Sequence, residues 1–583
     1  MFTDGKIWMA NSADGRRLYL EPSMANRHGI IAGATGTGKT ITMKVMAESF
    51  SDMGVPVFFS DVKGDLSGMC VKGVDNENMQ KRIERFGIEN FEYKTYPTRF
   101  WDIFGEKGNN VRVTVTDMGP TLLSKLLELT DVQAGVLNVV FRVADERGLE
   151  LIDLKDLRAM VAYVGENKEE FSLEYGNVAT ASIGAIQRAL LKLEDEGGVD
   201  VFGEPMLDIR DFIRTDFNGR GYINILSSVR IIQSPAAYST FLLWMLSELF
   251  EKLPEVGDVE KPRLVFFFDE AHMLFTDCSK TLLQKIVQLV KLVRSKGVGV
   301  YFVTQSPSDI PDEVLAQLSN RVQHGLRAYT PSEQKAVRAA ANAFRENPDF
   351  NTEEALMALG TGEALVSFLD EKGTPSIVEN AKILPPCSLM GAASDDVVAG
   401  VINADEFALK YNEGVDRETA YETIMAAKKK LDEEKAAEAE RIAAEEAEKK
   451  AEAERLKAEA EEQKRLAAEE RERKKAEAEE QKKLAAEERE EKKRKAAEEK
   501  EAAKAEKEKQ KKKSEVSKAA KKAVTSATSS VARSVSTNMV NSVLGGKQTS
   551  AQTMAKRAAT NALSSVMRTG ATAIIRGLFD TKK

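Results

Sequence analysis

The pattern of apolar and polar residues differs from one region of the chain to another. Up to about residue 390, short apolar runs alternate with segments of helical periodicity, which predicts an α/β protein with a mainly parallel sheet. The clearest run is Leu264–Phe268, where five apolar residues without alternation predict a central strand buried on both faces. Further strands are predicted at or near residues 6–9, 17–20, 29–32, 56–61, 222–226, 298–304, 320–327 and 360–368.

Between about residues 111 and 220 the apolar residues recur at helical spacing, in segments 122–129, 136–141, 151–164 and 183–193. We expect a helical subdomain inserted between strands of the sheet, with these apolar stripes as its core. Another apolar helix is predicted at residues 235–253, ahead of the central strand. The pair Pro385-Pro386 is predicted to end the folded part, and residues 391–422 are expected to form a linker with short helices.

Residues 423–522 are almost entirely Ala, Glu, Lys and Arg and predict one long helix. The segment Glu461–Leu466 returns as Glu479–Leu484, a shift of 479 − 461 = 18 residues, or about five turns of a helix at ~3.6 residues per turn. Leucines this sparse do not form a coiled-coil seam, so a solvated single helix is favoured over a coiled coil. The pairs expected to support it at i, i+4 spacing are Glu461–Arg465, Glu469–Arg473, Glu470–Lys474 and Glu479–Lys483.

The last segment, residues 523–583, is rich in Ser, Thr and Ala and is basic. Its eight Lys and Arg residues face a single acidic residue, Asp580, which gives 8 − 1 = +7. A basic end of this kind is expected to contact nucleic acid, an anionic membrane surface or a protein partner, and a solubilising tail is the equally open alternative.

The composition argues against a membrane-spanning protein, a secreted protein and a zinc site. The 84 Lys and Arg residues against 92 Asp and Glu give a net charge of −8, and no apolar run approaches the length of a membrane span. The first residues carry no basic stretch followed by an apolar one, so we expect a cytoplasmic protein. Cys70, Cys278 and Cys387 lie far apart, which favours reduced structural thiols over a zinc site.

The first chemical motif is Gly33–Thr40, whose sequence fits G-x-x-x-x-G-K-[ST] at every fixed position. The apolar run before it and the predicted helix after it, residues 41–50, supply the strand, loop and helix that a phosphate-binding loop requires; a chance glycine-rich turn is the alternative. Glycines let the backbone N–H groups surround an anion, and the helix adds its positive end. The residues expected to bind ATP are Gly33, Thr35, Gly36, Thr37, Gly38, Lys39 and Thr40.

Within this motif, Lys39 is expected to reach the β- and γ-phosphates and the Thr40 hydroxyl to bind Mg²⁺.

The second motif, Asp269-Glu270, follows the central strand, where two carboxylates are costly to bury without a cation. A Walker B pair accounts for them, since Asp269 would hold Mg²⁺ and Glu270 would polarise the water that attacks the γ-phosphorus. His272 is interpreted as a packing or coupling residue.

Polar residues also end other predicted strands. Gln305 is the preferred γ-phosphate sensor, with Thr304 second and an ordinary polar strand end as the alternative. Asp61 follows the strand at residues 56–61 and is a candidate for a supporting role near the nucleotide, against an ordinary polar loop. Arg321 and Arg327 are candidates to stabilise charge on the transferring phosphoryl group, frequently from a neighbouring subunit, or else form surface salt bridges.

These motifs occur together in a fixed order. To the phosphate-binding loop and the acidic pair the sequence adds DVKGDLSG at 61–68, TQSP at 304–307, the stretch 320–331 and GTGEALVS at 360–367. Together they resemble the HerA-like ATPases of the HerA/FtsK superfamily, specifically the bacterial group with a HerA-like helicase C-terminal domain. The resemblance covers about residues 5–390 and also rests on MGP at 118–120, QRALL at 187–191, FGEP at 202–205 and RSKGVGV at 294–300.

The resemblance implies a RecA-like P-loop fold for residues 1–390, ATP hydrolysis with Mg²⁺, hexameric rings with arginines acting between subunits, and movement on double-stranded DNA. HerA itself carries an N-terminal β-barrel ahead of its phosphate-binding loop, whereas here only a short lead-in precedes Gly33. Two hypotheses follow. One is an ATP-hydrolysing DNA translocase or helicase-like motor; the other is a nucleotide-switched assembly ATPase whose tail binds a protein partner or a membrane surface.

Overall fold

The computed structural model describes residues 1–275 and 280–499. The chain divides into two compact units, Met1–Met425 and Ala426–Lys583. Cys278, the predicted helical residues 500–522 and the basic segment 523–583 lie outside the described residues.

The first unit is built on one 13-stranded sheet. Its strands are β1 (Phe2–Thr3), β2 (Lys6–Ser12), β3 (Arg17–Leu20), β4 (Gly29–Ala32), β5 (Val57–Asp61), β6 (Thr98–Asp102), β7 (Asn109–Asn110), β8 (Ile223–Ser227), β9 (Leu264–Phe268), β10 (Val298–Thr304), β11 (Asn320–His324), β12 (Glu363–Ser367) and β13 (Glu379–Ile383). They lie in the order β1-β2-β13-β12-β11-β4-β10-β9-β5-β8-β6-β7, and β3 pairs with β2 off this path. The strands from β11 to β7 are parallel and the others antiparallel, which confirms the predicted α/β class with a mainly parallel sheet.

Helices cover the sheet and fill the segment between β7 and β8. They are α1 (Lys39–Asp52), α2 (Glu77–Phe86), α3 (Val115–Leu126), α4 (Asp131–Glu146), α5 (Leu154–Glu166), α6 (Lys168–Tyr175), α7 (Thr180–Asp195), α8 (Pro235–Lys252), α9 (Lys280–Val293), α10 (Asp312–Leu315), α11 (Pro331–Asn342), α12 (Thr352–Ala358), α13 (Asp395–Asn403), α14 (Ala408–Tyr411) and α15 (Ala420–Glu499). Five of them, α3 to α7, form the helical segment between β7 and β8, and their apolar faces are buried.

The centre of the sheet is held by aromatic side chains of adjacent strands. All five residues of β9 are buried. The ring of Phe266 stacks on Phe58 at 4.1 Å between centroids, and that of Phe267 stacks on Phe59 at 4.7 Å. Each stacked pair adds to the burial of apolar surface and fixes β9 beside β5. The acidic pair after Phe268 is therefore carried on a rigid strand.

The prediction that the folded part ends at Pro385-Pro386 is wrong. The first unit continues to Met425. Its residues after 390 contact β6, a strand that was not predicted because its sequence contains polar residues. Arg99 of β6 is buried against Asp405 at 3.4 Å and Glu406 at 2.6 Å. Partners more than 300 residues away along the chain thus let a charged residue lie in a buried strand.

The helix α15 extends over 80 residues to Glu499, and the described side chains from residue 433 to 493 are almost all exposed. Of the predicted charge pairs, Glu470–Lys474 is formed at 2.8 Å, whereas Arg465 and Arg473 lie nearer to Glu469 and Glu477, four residues after them. At ~1.5 Å per residue the helix is about 120 Å long. In the described part of the chain, no helix combines the length and hydrophobicity that crossing a bilayer requires.

Candidate active site

Residues 33–40, called here the phosphate loop, connect β4 to α1 at the carboxyl edge of the parallel strands. Gly33 and Gly38 have φ angles of 152° and 118°. At Gly33 space also forbids a side chain, because an added Cβ would lie 2.5 Å from the Cβ of His324. The glycines therefore permit a tight turn that other residues would adopt only with strain.

Three backbone hydrogen bonds attach this loop to neighbouring segments. They run from the N–H of Gly33 to Thr304 O (3.2 Å), from the N–H of Ala34 to Gly325 O (3.0 Å) and from the N–H of Gly362 to Thr37 O (2.9 Å). The first N–H groups of α1 have no acceptor within the helix, and they point toward the loop together with the positive end of the helix dipole. This arrangement suits an anion such as a phosphate group.

Lys39, the first residue of α1, is buried, and its Nζ donates to the carbonyls of Gly33 at 2.6 Å and Ala34 at 3.2 Å. Burial lowers the pKa of Lys39, the charge of Lys63 lowers it further, and Glu270 and Asp269 act in the opposite direction. The two carboxylates therefore lie within electrostatic range of the lysine. The structure brings the phosphate loop and the acidic pair into one site.

Asp269 is buried directly after β9. Its N–H donates to the Ser60 hydroxyl at 3.1 Å, and its carbonyl accepts from the Tyr238 hydroxyl at 2.7 Å. Burial, followed by the negative charge of Glu270, raises the pKa of Asp269 to about 7. A divalent cation beside this carboxylate would offset both effects, so the residue fits a Mg²⁺ ligand. Thr40, half-buried at the second position of α1, can supply a hydroxyl oxygen.

Glu270 adopts a left-handed backbone conformation with φ 48°. For a non-glycine residue this conformation costs roughly 1–2 kcal/mol, and such strain clusters at functional sites. Its Oε2 lies 3.4 Å from Nδ1 of His272. The strained conformation directly after the central strand therefore marks Glu270 as a candidate functional residue.

Gln305 and Thr304 end β10 beside the phosphate loop. Thr304 pairs with Ala32 of β4, so Gln305 follows at the level of Gly33. Thr304 is buried, its carbonyl accepts from Gly33, and its hydroxyl donates to Asp309 at 3.3 Å. Gln305 is exposed at this edge, which leaves it accessible to a bound nucleotide.

Asp61 organises the loop after β5 through its carboxylate. Its oxygens accept from the N–H groups of Lys63 at 3.2 Å, Gly64 at 2.8 Å and Leu66 at 3.0 Å. Burial raises the pKa of Asp61 to about 6. The residue therefore shapes the turn that carries Lys63.

The two candidate arginines have different surroundings. The guanidinium of Arg321 donates to three main-chain carbonyls, those of Ala343 (3.0 Å), Leu318 (3.2 Å) and Leu315 (3.4 Å). Arg321 also pairs with Ile30, two residues before the edge of the sheet. Arg327 is exposed, two residues after Gly325, and it forms no hydrogen bond or ion pair with residues 1–275 or 280–499. Of these two arginines, only Arg327 has a guanidinium without a partner among residues 1–275 and 280–499.

His324 is a site residue that sequence reasoning missed. It ends β11 beside Gly33, and its ring contacts Thr42 of α1 and the carbonyl of Glu363. These partners are 282 and 39 residues away, so no local pattern marks the histidine. The sequence contains three histidines, and no motif gave His324 a role.

Comparisons with known proteins place the chain among related sequences. The family model for helicase HerA-like C-terminal proteins matches residues 7–479. The DNA double-strand break repair helicase HerA of Sulfurisphaera tokodaii is 23% identical over 360 residues, 60% of this chain and 64% of the relative. The same-named protein of Pyrococcus furiosus is 21% identical over 372 residues, 60% of this chain and 64% of that relative. The chain therefore spans slightly less than two thirds of the length of these relatives.

Among solved structures, the bacterial conjugative coupling protein TrwBdeltaN70 aligns with a TM-score of 0.42 at 14% identity, covering 63% of this chain and 87% of that one. VirB4 of Thermoanaerobacter pseudethanolicus aligns with a TM-score of 0.41 at 16% identity, covering 66% and 97%. The family match extends over most of the chain and includes the phosphate loop and the acidic pair. This protein belongs to the helicase HerA-like C-terminal family.

Proposed function

We propose that this protein is a P-loop ATPase and a DNA motor that binds ATP and Mg²⁺ and works as a homo-oligomeric ring on double-stranded DNA, in the cytoplasm. The observation that supports a ring is the exposure of Arg327, which follows β11 next to the phosphate-loop strand β4. Its guanidinium has no partner among the described residues. Arginines in this situation stabilise the transferring phosphoryl group when they come from a neighbouring subunit. The names of the HerA relatives support DNA as the substrate.

The proposed chemistry assigns one task to each group. Gly33–Thr40 would bind the phosphates through backbone N–H groups, and Lys39 would exchange its loop carbonyls for β- and γ-phosphate oxygens. Mg²⁺, when bound, neutralises phosphate charge; Thr40 and Asp269 would hold it. Glu270 would orient the attacking water and accept its proton, and Gln305 would contact the γ-phosphate.

Two substitutions test the ATPase assignment. Lys39→Ala removes the phosphate-binding cation, and Glu270→Gln keeps the size of the side chain but removes the base. We expect each to lower ATP turnover by at least about 100-fold, since general-base and charge-stabilising groups contribute on that scale. Turnover within a few-fold of wild type in Glu270→Gln would contradict the role of that carboxylate.

A complementation experiment tests whether Arg327 acts between subunits. Lys39→Ala and Arg327→Ala proteins are each expected to be inactive alone. After mixing and subunit exchange, some interfaces combine an intact phosphate loop from one subunit with an intact Arg327 from the other, so activity should return. Arg321→Ala, whose guanidinium holds main-chain carbonyls, serves as the comparison and should lower stability. No recovery in the mixture would contradict action between subunits.

DNA stimulation tests the motor. Turnover of the wild type is measured against duplex DNA at a stated salt concentration, because phosphate contacts make binding strongly salt-dependent. A several-fold increase supports the motor, and unchanged turnover across the titration counts against it. Particle mass with and without a non-hydrolysable ATP analogue gives the subunit number in the same preparation.

The helix α15 favours a second candidate, a nucleotide-switched assembly ATPase with a protein or membrane partner. Its side chains from residue 436 to 493 are all exposed and are rich in Glu, Lys and Arg. If ATP analogue changes particle mass while DNA changes neither turnover nor binding, this second function is favoured. Deletion of residues 426–583 then distinguishes a partner bound by the tail from one bound by the ATPase unit.

A further inference from the structure

We infer that His324 is a positioning residue of the phosphate loop: its imidazole holds the loop in the shape that binds a nucleoside diphosphate. The inference rests on one part of the proposed function, the binding of ATP at the phosphate loop. It does not depend on DNA or on a ring.

The imidazole bridges two elements on either side of the phosphate loop. Its Nε2 lies 2.8 Å from the Thr42 hydroxyl on α1, and its Nδ1 lies 2.9 Å from the carbonyl of Glu363 on β12. A carbonyl only accepts, so Nδ1 carries the proton, and Nε2 accepts from the Thr42 hydroxyl. Both ring nitrogens are used, and the ring has one orientation.

The histidine also fits against the loop. A Cβ on Gly33 would lie 2.5 Å from the His324 Cβ, and a Cβ on Gly38 would lie 3.4 Å from its Cε1. The next residue, Gly325, accepts from the Ala34 N–H at 3.0 Å, and Gly362, beside Glu363, donates to Thr37 at 2.9 Å. The imidazole therefore lies beside the two hydrogen bonds, at Ala34 and Thr37, that attach the loop to β11 and β12.

The side chain is fully buried, and this burial lowers the pKa of His324 to about 4. The imidazole is therefore neutral at physiological pH and places no second positive charge beside Lys39. An apolar residue would fill the same space without desolvating two ring nitrogens. The polar bridge is instead suited to fixing the distance between α1, which begins at the loop, and β12, which follows the Gly362 that donates to the loop.

The test uses ADP, which depends on the phosphate loop but not on the attacking water. His324→Phe keeps a ring and removes both nitrogens; Thr42→Val removes the hydroxyl donor. We expect ADP to bind about tenfold more weakly to His324→Phe, and about threefold more weakly to Thr42→Val, by calorimetry without DNA. In the double variant the loss should not exceed that of His324→Phe, because both substitutions break the same bridge.

A matched control separates positioning from general stability. His28 is a second buried histidine, next to the other end of β4, where Nδ1 accepts from the Val300 N–H at 3.1 Å. His28→Asn should lower the melting temperature and leave the ADP affinity within twofold of wild type. For Thr42→Val, kcat/KM for ATP should fall with the ADP affinity while kcat changes less than twofold.

If His324→Phe does not fold, Thr42→Val decides the question. ADP affinity within twofold of wild type in Thr42→Val would overturn the inference. So would a loss in His28→Asn equal to that in His324→Phe, because the effect would then follow from stability alone. Failure of DNA to stimulate turnover leaves this result unaffected.

Discussion

The helices α1 and α15 contain the same pair of residue types at the same spacing and use them in opposite ways. In α1, Lys44 and Glu48 are four residues apart and buried, and each bonds to main-chain groups of other segments. In α15, Glu470 and Lys474 are four residues apart, exposed, and bonded to each other at 2.8 Å. The spacing of four residues allows the two side chains to pair with each other. Burial decides whether they do so or bond instead to main-chain groups of distant segments.

The contacts of the α1 pair show what long-range use means. The Lys44 ammonium donates to the carbonyls of Asp65 at 2.8 Å and of Leu389, Met390 and Gly391 at 2.8, 3.1 and 3.4 Å. Glu48 accepts from the N–H groups of Cys387 at 2.7 Å and Ser388 at 2.9 Å. The helix that begins at the phosphate loop thus binds residues 387–391 to the rest of the first unit.

The largest expected effect comes from Lys44→Met, which leaves up to four carbonyls in the interior without their donor. We expect a loss of about 3 kcal/mol in the free energy of unfolding. All three tryptophans, Trp8, Trp101 and Trp244, lie in the first unit, so urea unfolding followed by tryptophan fluorescence reports on it. Lys457→Met in α15 is the control and should change stability by less than about 0.5 kcal/mol. Equal effects would contradict the contrast between the helices.

Acid should weaken the first unit through its buried histidines. Burial lowers the pKa of His28 to about 4 from an ordinary value of 6.5, so between these values the unfolded chain binds a proton that the folded chain does not. This stability is present above about pH 6.5 and is lost as the pH falls toward 4, by about 2 kcal/mol at pH 5.

Asp61 and Asp269, whose pKa values are raised, respond in the opposite direction, so the comparison must be with His28→Asn. Relative to that variant, the wild type should lose about 2 kcal/mol in urea unfolding between pH 7.5 and pH 5. Parallel pH dependences would show that His28 is protonated in the folded state.

Glu48→Gln should have a smaller effect, because an amide oxygen at Oε1 still accepts from the N–H and hydroxyl of Ser388, while the NH₂ group faces the N–H of Cys387. We expect a loss of about 1 kcal/mol in the same fluorescence assay. Glu48→Leu, which removes both acceptors, should cost more than Glu48→Gln. The reverse order would indicate that the N–H groups of Cys387 and Ser388 find other acceptors.

The smallest effect is expected in α15. Glu470→Gln, Lys474→Gln and the double variant should each change helix content by little, since an exposed pair at this spacing contributes ~0.2–0.5 kcal/mol. Far-UV circular dichroism at low and high salt measures the change, and tryptophan unfolding should be unaffected. A large loss of helix would mean that this single pair is more than a local contact.

Local pattern alone determined much of this protein. The unbroken apolar run Leu264–Phe268 predicted a buried central strand, and the spacing in Gly33–Thr40 predicted a strand, a glycine loop and a helix. The composition of α15 predicted a long solvated helix. In each case the physical cause lies within a few residues: apolar burial on both faces, glycine conformations, or helix formers with charges at i, i+4.

The tertiary structure alone decided which polar residues lie beside those elements. Thr98–Asp102 becomes a buried strand because Asp405 and Glu406 reach Arg99, and Lys44 is buried because residues 389–391 supply its acceptors. His324 lies at the phosphate loop because β11 pairs with β4, and Arg321 does not reach it because the same register places it at Ile30. A buried polar group needs a specific partner, and when that partner is hundreds of residues away only the completed fold identifies it.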